Sequence, residues 1–141
     1  MSILPPSIQH YLTQQHVVGI TAKYQQEIWA ASCFYAFEPD TVSLILLTSR
    51  ETYHGQLMLK DSHVVGTISD QITQVSEIQG IQFAGQAELL TTEYERPLAL
   101  YIERHPIAKL HQTDVWRIRL DKIKFTDNTF RFAHKEMWQR E

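Results

Sequence analysis

Residues 78–90 read IQGIQFAGQAELL. Ile81, Phe83, Gly85, Ala87 and Leu89 alternate with Gln82, Ala84, Gln86 and Glu88, and a period of two gives a strand one apolar and one polar face. The stretch predicts a long strand region, begun by ITQVSE at residue 72 and bent near Gly80. Glycine inside a strand marks a bend, a bulge or the close approach of another group. Bends of this kind let a small antiparallel sheet close and lose its exposed edges.

The same period runs upstream. HVVGITA (16–22), EIWAASCFYAF (27–37) and TVSLILLT (41–48) predict three successive strands. The links KYQQ and EPD are too short for a parallel crossover, so these neighbours are antiparallel. Trp29, Ala31, Cys33, Tyr35 and Phe37 share one face of the second strand, and Ala30, Ser32, Phe34 and Ala36 share the other. Both faces are partly apolar, so a core, a partner chain or a flat ligand is expected on each. HVVGTISD (63–70) is a fourth strand. VWRIRL (115–120) turns Trp116, Ile118 and Leu120 inward and Arg117 and Arg119 outward, and DKIKFTDNTFRFAH (121–134) reads as a hairpin turning at Asp127 and Asn128, with Phe125, Phe130 and Phe132 packed on the barrel.

Three helical segments punctuate the strands. PPSIQHYLTQQH (5–16) places a proline in a first turn and Leu4, Ile8 and Tyr11 or Leu12 on one side. A short helix starts near Thr52, with Leu57 and Met58 inward. In residues 91–112, Thr92 and Glu95 have capping-box spacing, but Pro97 sits too deep for that start, so the helix begins later or kinks. The order lacks the regular alternation of a doubly wound α/β chain. The predicted fold class is mostly β: one antiparallel barrel domain over residues 1–141 with short capping helices.

Composition narrows the function classes. The 141-residue chain carries a formal net charge of -3 and is 43% hydrophobic. It has no basic tail, and Arg117, Arg119, Lys122 and Lys124 form only a small basic face interrupted by Asp121. A solvated strand face accounts for these, and no nucleic acid partner is expected. Cys33 is the single cysteine, which excludes an internal disulfide and a thiolate zinc cage and fits a buried, inert thiol in a cytoplasmic protein. MSILPPSIQHYL lacks the basic front and apolar run of a signal peptide, and no apolar run reaches membrane-spanning length. His10 and His16 lie six apart, as do His105 and His111, but no HExxH pattern occurs and no metal site is expected.

The polar segment with most chemistry is LTSRETYHGQLM (47–58). Arg50 can meet phosphate with two parallel N–H groups, Ser49 and Thr52 can donate hydroxyls, and a helix starting there adds orphan backbone N–H groups. The bland reading is also open: Thr52 as a simple N-cap, with Arg50 solvated or paired with Glu51.

LLTSRETYHGQLM, IQGIQFAGQAELL and VWRIRLDKIKFTDN, in this order and spacing, resemble the FMN-binding split barrels of the pyridoxamine-phosphate-oxidase type. Within that superfamily the chain is similar to the YhbP-like (UPF0306) family over nearly its whole length, including the terminal EMW. The resemblance implies a homodimer with FMN in a cleft between subunits. It assigns cofactor binding to Thr48, Ser49, Arg50, Thr52 and His54, with His54 standing where lysine is common. It sets Ala31–Tyr35 beside the flavin ring, where core or dimer packing is the competing role. Haem is the second choice of cofactor, because some split-barrel relatives bind it. The function implied is that of a small flavin-dependent oxidoreductase of unknown substrate. Its rivals are a non-catalytic flavin or haem module and an apo interaction barrel.

Overall fold

In the computed structural model, residues 3–141 are described; Met1 and Ser2, the start of the opening segment, lie outside them. The elements in chain order are α1 Pro6–Gln14, β1 Val17–Tyr24, β2 Glu27–Phe34, β3 Ala36–Glu38, β4 Ser43–Leu47, α2 Tyr53–Lys60, β5 His63–Ser69, β6 Gln79–Leu90, α3 Glu95–Arg104, β7 Val115–Asp127 and β8 Lys135–Gln139. The strands form one sheet in the order β2-β1-β5-β6-β7-β4-β3, with β8 also paired to β7, and every pairing is antiparallel.

The expected strand over residues 27–37 is two strands. β2 pairs with β1 and β3 pairs with β4, so the chain changes partners at Tyr35. β2 and β3 lie at opposite ends of the sheet order although one residue separates them. A sheet whose ends are joined this closely has to curl into a half-barrel. Tyr35 fixes the crossing: it is fully buried, its N–H donates to His16 O at 2.9 Å, and its hydroxyl donates to Leu12 O at 2.7 Å. Burial pushes the phenol far above its usual range, so this donor is permanent.

β6 begins at Gln79, after a 3-10 turn over Val75–Glu77 where the strand region is expected to start, and its register breaks between Ala84 and Gly85 rather than at Gly80. Ala84 faces Lys122 and Gly85 faces Leu120, which leaves Asp121 as the extra residue of a bulge in β7. A Cβ on Gly85 would sit 2.3 Å from Arg119 O, whereas one on Gly80 would make ordinary contacts at 3.5 Å and beyond. Backbone crowding, which sequence does not display, chooses between the two glycines.

β7 is one long strand that shares an edge between two short ones. β4 pairs with Val115–Arg119, and β8 pairs with the stretch from Lys122 to Thr126. The turn at Asp127 and Asn128 is as expected, but Phe130 and Phe132 stay 71% and 75% exposed, and only Phe125 is buried. The Asn128 side chain donates to Val75 O and accepts from Ala133 N–H, which holds this loop off the barrel. The capping box is also absent: α3 starts at Glu95 after Tyr94, with no side-chain cap. Pro97 then sits in the first turn, where its missing N–H costs nothing.

Ile8, Tyr11 and Leu12 of α1 are buried as the spacing predicts, and they join the main core with Ile20, Leu44, Leu46, Trp116 and Phe125. A smaller cluster of Ala36, Ile45, Tyr101, Ala108 and Val115 seats α3. The inner side of β2 is covered at Ala31 and Cys33, which pack on the main core, while Trp29 on the same face stays half exposed. Burial raises the Cys33 thiol above its usual range. The outer side is open: Val17, Ile28, Phe34 and Val65 are 42–64% exposed, and cross-strand pairing sets Phe34 opposite Val17 and Ala30 in line with Thr21 and Val65. Among the described residues, no helix is long and apolar enough to cross a membrane.

Candidate functional site

β4 ends at Leu47 and α2 begins at Tyr53; the five residues between them make a tight corner. Thr52 caps α2, its Oγ1 accepting from Gly55 N–H at 3.0 Å and donating to Ser49 O at 2.8 Å. The N–H groups of Tyr53 and His54 are then the orphan donors of a helix start. Ser49 Oγ accepts from Glu51 N–H at 3.1 Å, leaving its hydroxyl hydrogen to donate elsewhere. Gly55 is required by the turn itself, because an added Cβ would lie 2.5 Å from Ser49 O and 2.9 Å from Arg50 Cα. Trp116, the largest fully buried side chain, donates from Nε1 to Thr48 O at 2.9 Å, fixing the corner to the core.

All five expected residues lie on this corner, but two are engaged in ways the sequence hides. His54 folds back so that Nε2 is 2.8 Å from Thr48 Oγ1 and 3.3 Å from Thr52 Oγ1. Burial pushes its imidazole below the usual histidine range, so near neutral pH it is an uncharged hydrogen-bonding group. Arg50 pairs with Asp114, not Glu51: Nε to Oδ2 is 3.1 Å, Nη2 to Oδ1 is 2.8 Å, and the Arg50 backbone N–H reaches Oδ2 at 2.8 Å. Each partner favours the charged form of the other, holding the Asp114 carboxyl below its usual range. Asp114 sits just before β7, 64 residues away in sequence, and no local signal in HQTDVW marks it as the partner.

The corner still fits a phosphate. The guanidinium has five N–H donors and Asp114 takes two of them. The side chain is 48% exposed, so the rest of the fork is open. With the Ser49 hydroxyl and the orphan N–H groups of Tyr53 and His54, it provides a donor set for a dianion at a positive helix end. On the flank toward β2, Tyr53 donates its hydroxyl to Glu27 Oε1 at 2.6 Å and its ring lies 5.1 Å from that of Trp29.

Comparison with known proteins gives the family. No family model matches the chain. A UPF0306 protein of Haemophilus ducreyi is 47% identical over 99% of this chain and 98% of its own length. This chain belongs to the UPF0306 family. Solved structures that share the UPF0306 chain's fold include a heme binding protein from Mycobacterium smegmatis, with a TM-score of 0.78 at 16% identity over 97% of this chain and 59% of that longer one. An FAD-binding protein from Mesorhizobium loti superposes with a TM-score of 0.70 at 10% identity, over 87% of this chain and 94% of that one. A pyridoxamine 5'-phosphate oxidase-like protein from Listeria innocua superposes with a TM-score of 0.67 at 16% identity, over 84% of this chain and 94% of that one. The half-barrel of this UPF0306 chain therefore shares the split-barrel fold of these proteins, and its solved neighbours include flavin- and haem-binding proteins.

Proposed function

We propose that this UPF0306 protein binds FMN as a cytoplasmic homodimer and acts as a small flavin-dependent oxidoreductase. The observation that carries the reading is Arg50: a guanidinium at the head of α2, half exposed, oriented by Asp114 and still holding unengaged N–H groups. Arg50, Ser49 and the N–H groups of Tyr53 and His54 take the phosphate. Thr48 and Thr52 set the corner and hold His54 against it. The uncovered outer side of β2 and its neighbours, with Val17, Ile28, Phe34 and Val65 exposed, is the surface a second copy would cover.

When bound, the flavin ring supplies the hydride or electron transfer. The chain's part is to hold the phosphate, exclude water from one face of the ring and shape the space beside it. That the solved neighbours include both an FAD-binding and a heme binding protein makes haem the competing ligand. The purified protein distinguishes them by its spectrum after dialysis. Oxidised flavin absorbs in two broad bands in the blue and near ultraviolet, and haem gives one sharp violet band. Retained flavin released as FMN supports the proposal, whereas a haem spectrum, or failure to take up added FMN, refutes it.

A further inference from the structure

A hollow lies at the Phe34 end of β2, where α3 gives way to a short 3-10 turn over Pro106–Leu110. Its volume is about 460 Å³, and its walls include Phe34, Leu47, Tyr101, His105 and Ile107. This lies within the range of small-molecule sites and is large enough for a one- or two-ring compound. The walls are mostly apolar, and the ring of His105 stands among aromatic ones, 5.3 Å from Phe34 and 4.9 Å from Tyr101.

The hydrogen bonding of His105 sets what the hollow can recognise. His105 Nε2 lies 2.7 Å from Tyr35 O. A carbonyl only accepts, so Nε2 carries the hydrogen. In a neutral imidazole the other nitrogen is then an acceptor. Nδ1 has no protein partner among the described residues, and it is not sealed from solvent. The acceptor is built in, because the Tyr35 carbonyl belongs to the residue at which the sheet changes partners. Arg104 and His111 also border the hollow. Arg104 Nη2 is engaged by Gln14 O, Gln15 O and His16 Nδ1, which directs that side of its guanidinium toward α1 and leaves its charge at the rim. An apolar, aromatic-walled space with the His105 acceptor held in place at its edge favours a flat ring that carries a donor.

We propose that this hollow is a binding site for planar aromatic hydroxyl compounds, of the phenol and hydroquinone class, whose O–H donates to His105 Nδ1. The inference does not depend on the flavin, although Phe34 at the rim also belongs to the face proposed to receive a second copy. The probes are 2-naphthol, 2-methoxynaphthalene, which has the ring without the donor, and 2-naphthoate, which has an anion in its place. Each is titrated calorimetrically into the purified protein at pH 8, where an ordinary histidine is neutral. The proposal expects saturable binding of 2-naphthol about tenfold tighter than the methyl ether, the worth of one good hydrogen bond, and no tight binding of the carboxylate. His105→Phe keeps the ring and is expected to abolish the difference between naphthol and ether. Imidazole nitrogen NMR on the wild type keeps the proposal testable if that variant does not fold. It expects the Nε2–H tautomer in the free protein, and an Nδ1 shift on adding naphthol but not ether. Equal binding of naphthol and ether, preference for the carboxylate, or an Nδ1–H tautomer overturns it.

Discussion

Arg50 and Asp114 meet through three hydrogen bonds, two from the guanidinium and one from the Arg50 backbone N–H. The contact joins the corner after β4 to the residue before β7, alongside the backbone bond from Thr48 N–H to Asp114 O at 3.0 Å. The carboxylate therefore does two opposed things: it aims the guanidinium, and it places a negative charge beside the proposed phosphate.

Asp114→Asn separates these roles. The amide keeps an oxygen for Arg50 and removes the charge. FMN affinity is expected to rise by roughly two- to tenfold, from loss of a like charge near the phosphate, and the gain is expected to shrink at high salt. Flavin fluorescence quenching at two ionic strengths reads this directly. Weaker binding in the variant would mean that aiming Arg50 matters more than the charge does.

Gly55 gives a stability test with an unusual sign. Alanine in a helix normally stabilises relative to glycine by up to about 1 kcal/mol. Here the new Cβ would press on the Ser49 carbonyl at 2.5 Å, and neither backbone can yield cheaply. Gly55→Ala is expected to lower stability by about 1–3 kcal/mol, measured by urea unfolding. A neutral or stabilised variant would show that the corner is looser than described.

His54 makes stability depend on pH. Its folded pKa lies below the ordinary value because burial disfavours the charged form. Between the unfolded and folded values the unfolded chain binds more protons, so stability is full above the ordinary histidine range and falls as pH drops below about 6.5. Urea midpoints are expected to decline from pH 7.5 to pH 5.5, and His54→Gln is expected to flatten part of that decline. Parallel profiles for the two proteins would remove His54 as a cause.

Assembly is tested on the open face of the sheet. Light scattering is expected to give twice the 16.5 kDa chain mass throughout a dilution series, and Val65→Lys is expected to give monomers. Val65 is 53% exposed, so the charge leaves the chain's own core undisturbed. A wild-type monomer would remove the cleft between subunits.

What the sequence made legible was local. The α1 face, the Thr52 cap and the inward row of Trp116, Ile118 and Leu120 all follow from spacing within a few residues, and all are present. The misses depended on distant backbone. The change of partner at Tyr35 shows in burial, where Tyr35, Ala36 and Phe37 are buried in succession, but not in the sequence, where both faces of residues 27–37 carry apolar side chains. Gly85 was preferred to Gly80 by the carbonyl of Arg119, a contact set by register. At the candidate site the donor residues could be named, but Asp114 could not, since an aspartate in HQTDVW resembles any turn residue. The Nε2 bond from His105 to Tyr35 spans 70 residues and was equally hidden.

The claim that matters most is that the β4–α2 corner holds the phosphate of a flavin. The direct measurement is isothermal titration of FMN and riboflavin against the wild type and Arg50→Ala, with circular dichroism confirming the fold of both. Riboflavin has the same ring without the phosphate. Arg50→Ala is expected to weaken FMN by roughly 10- to 150-fold, the range of a lost charge-assisted contact, while riboflavin changes little. Equal losses for the two ligands, or no loss for either, would contradict the claim.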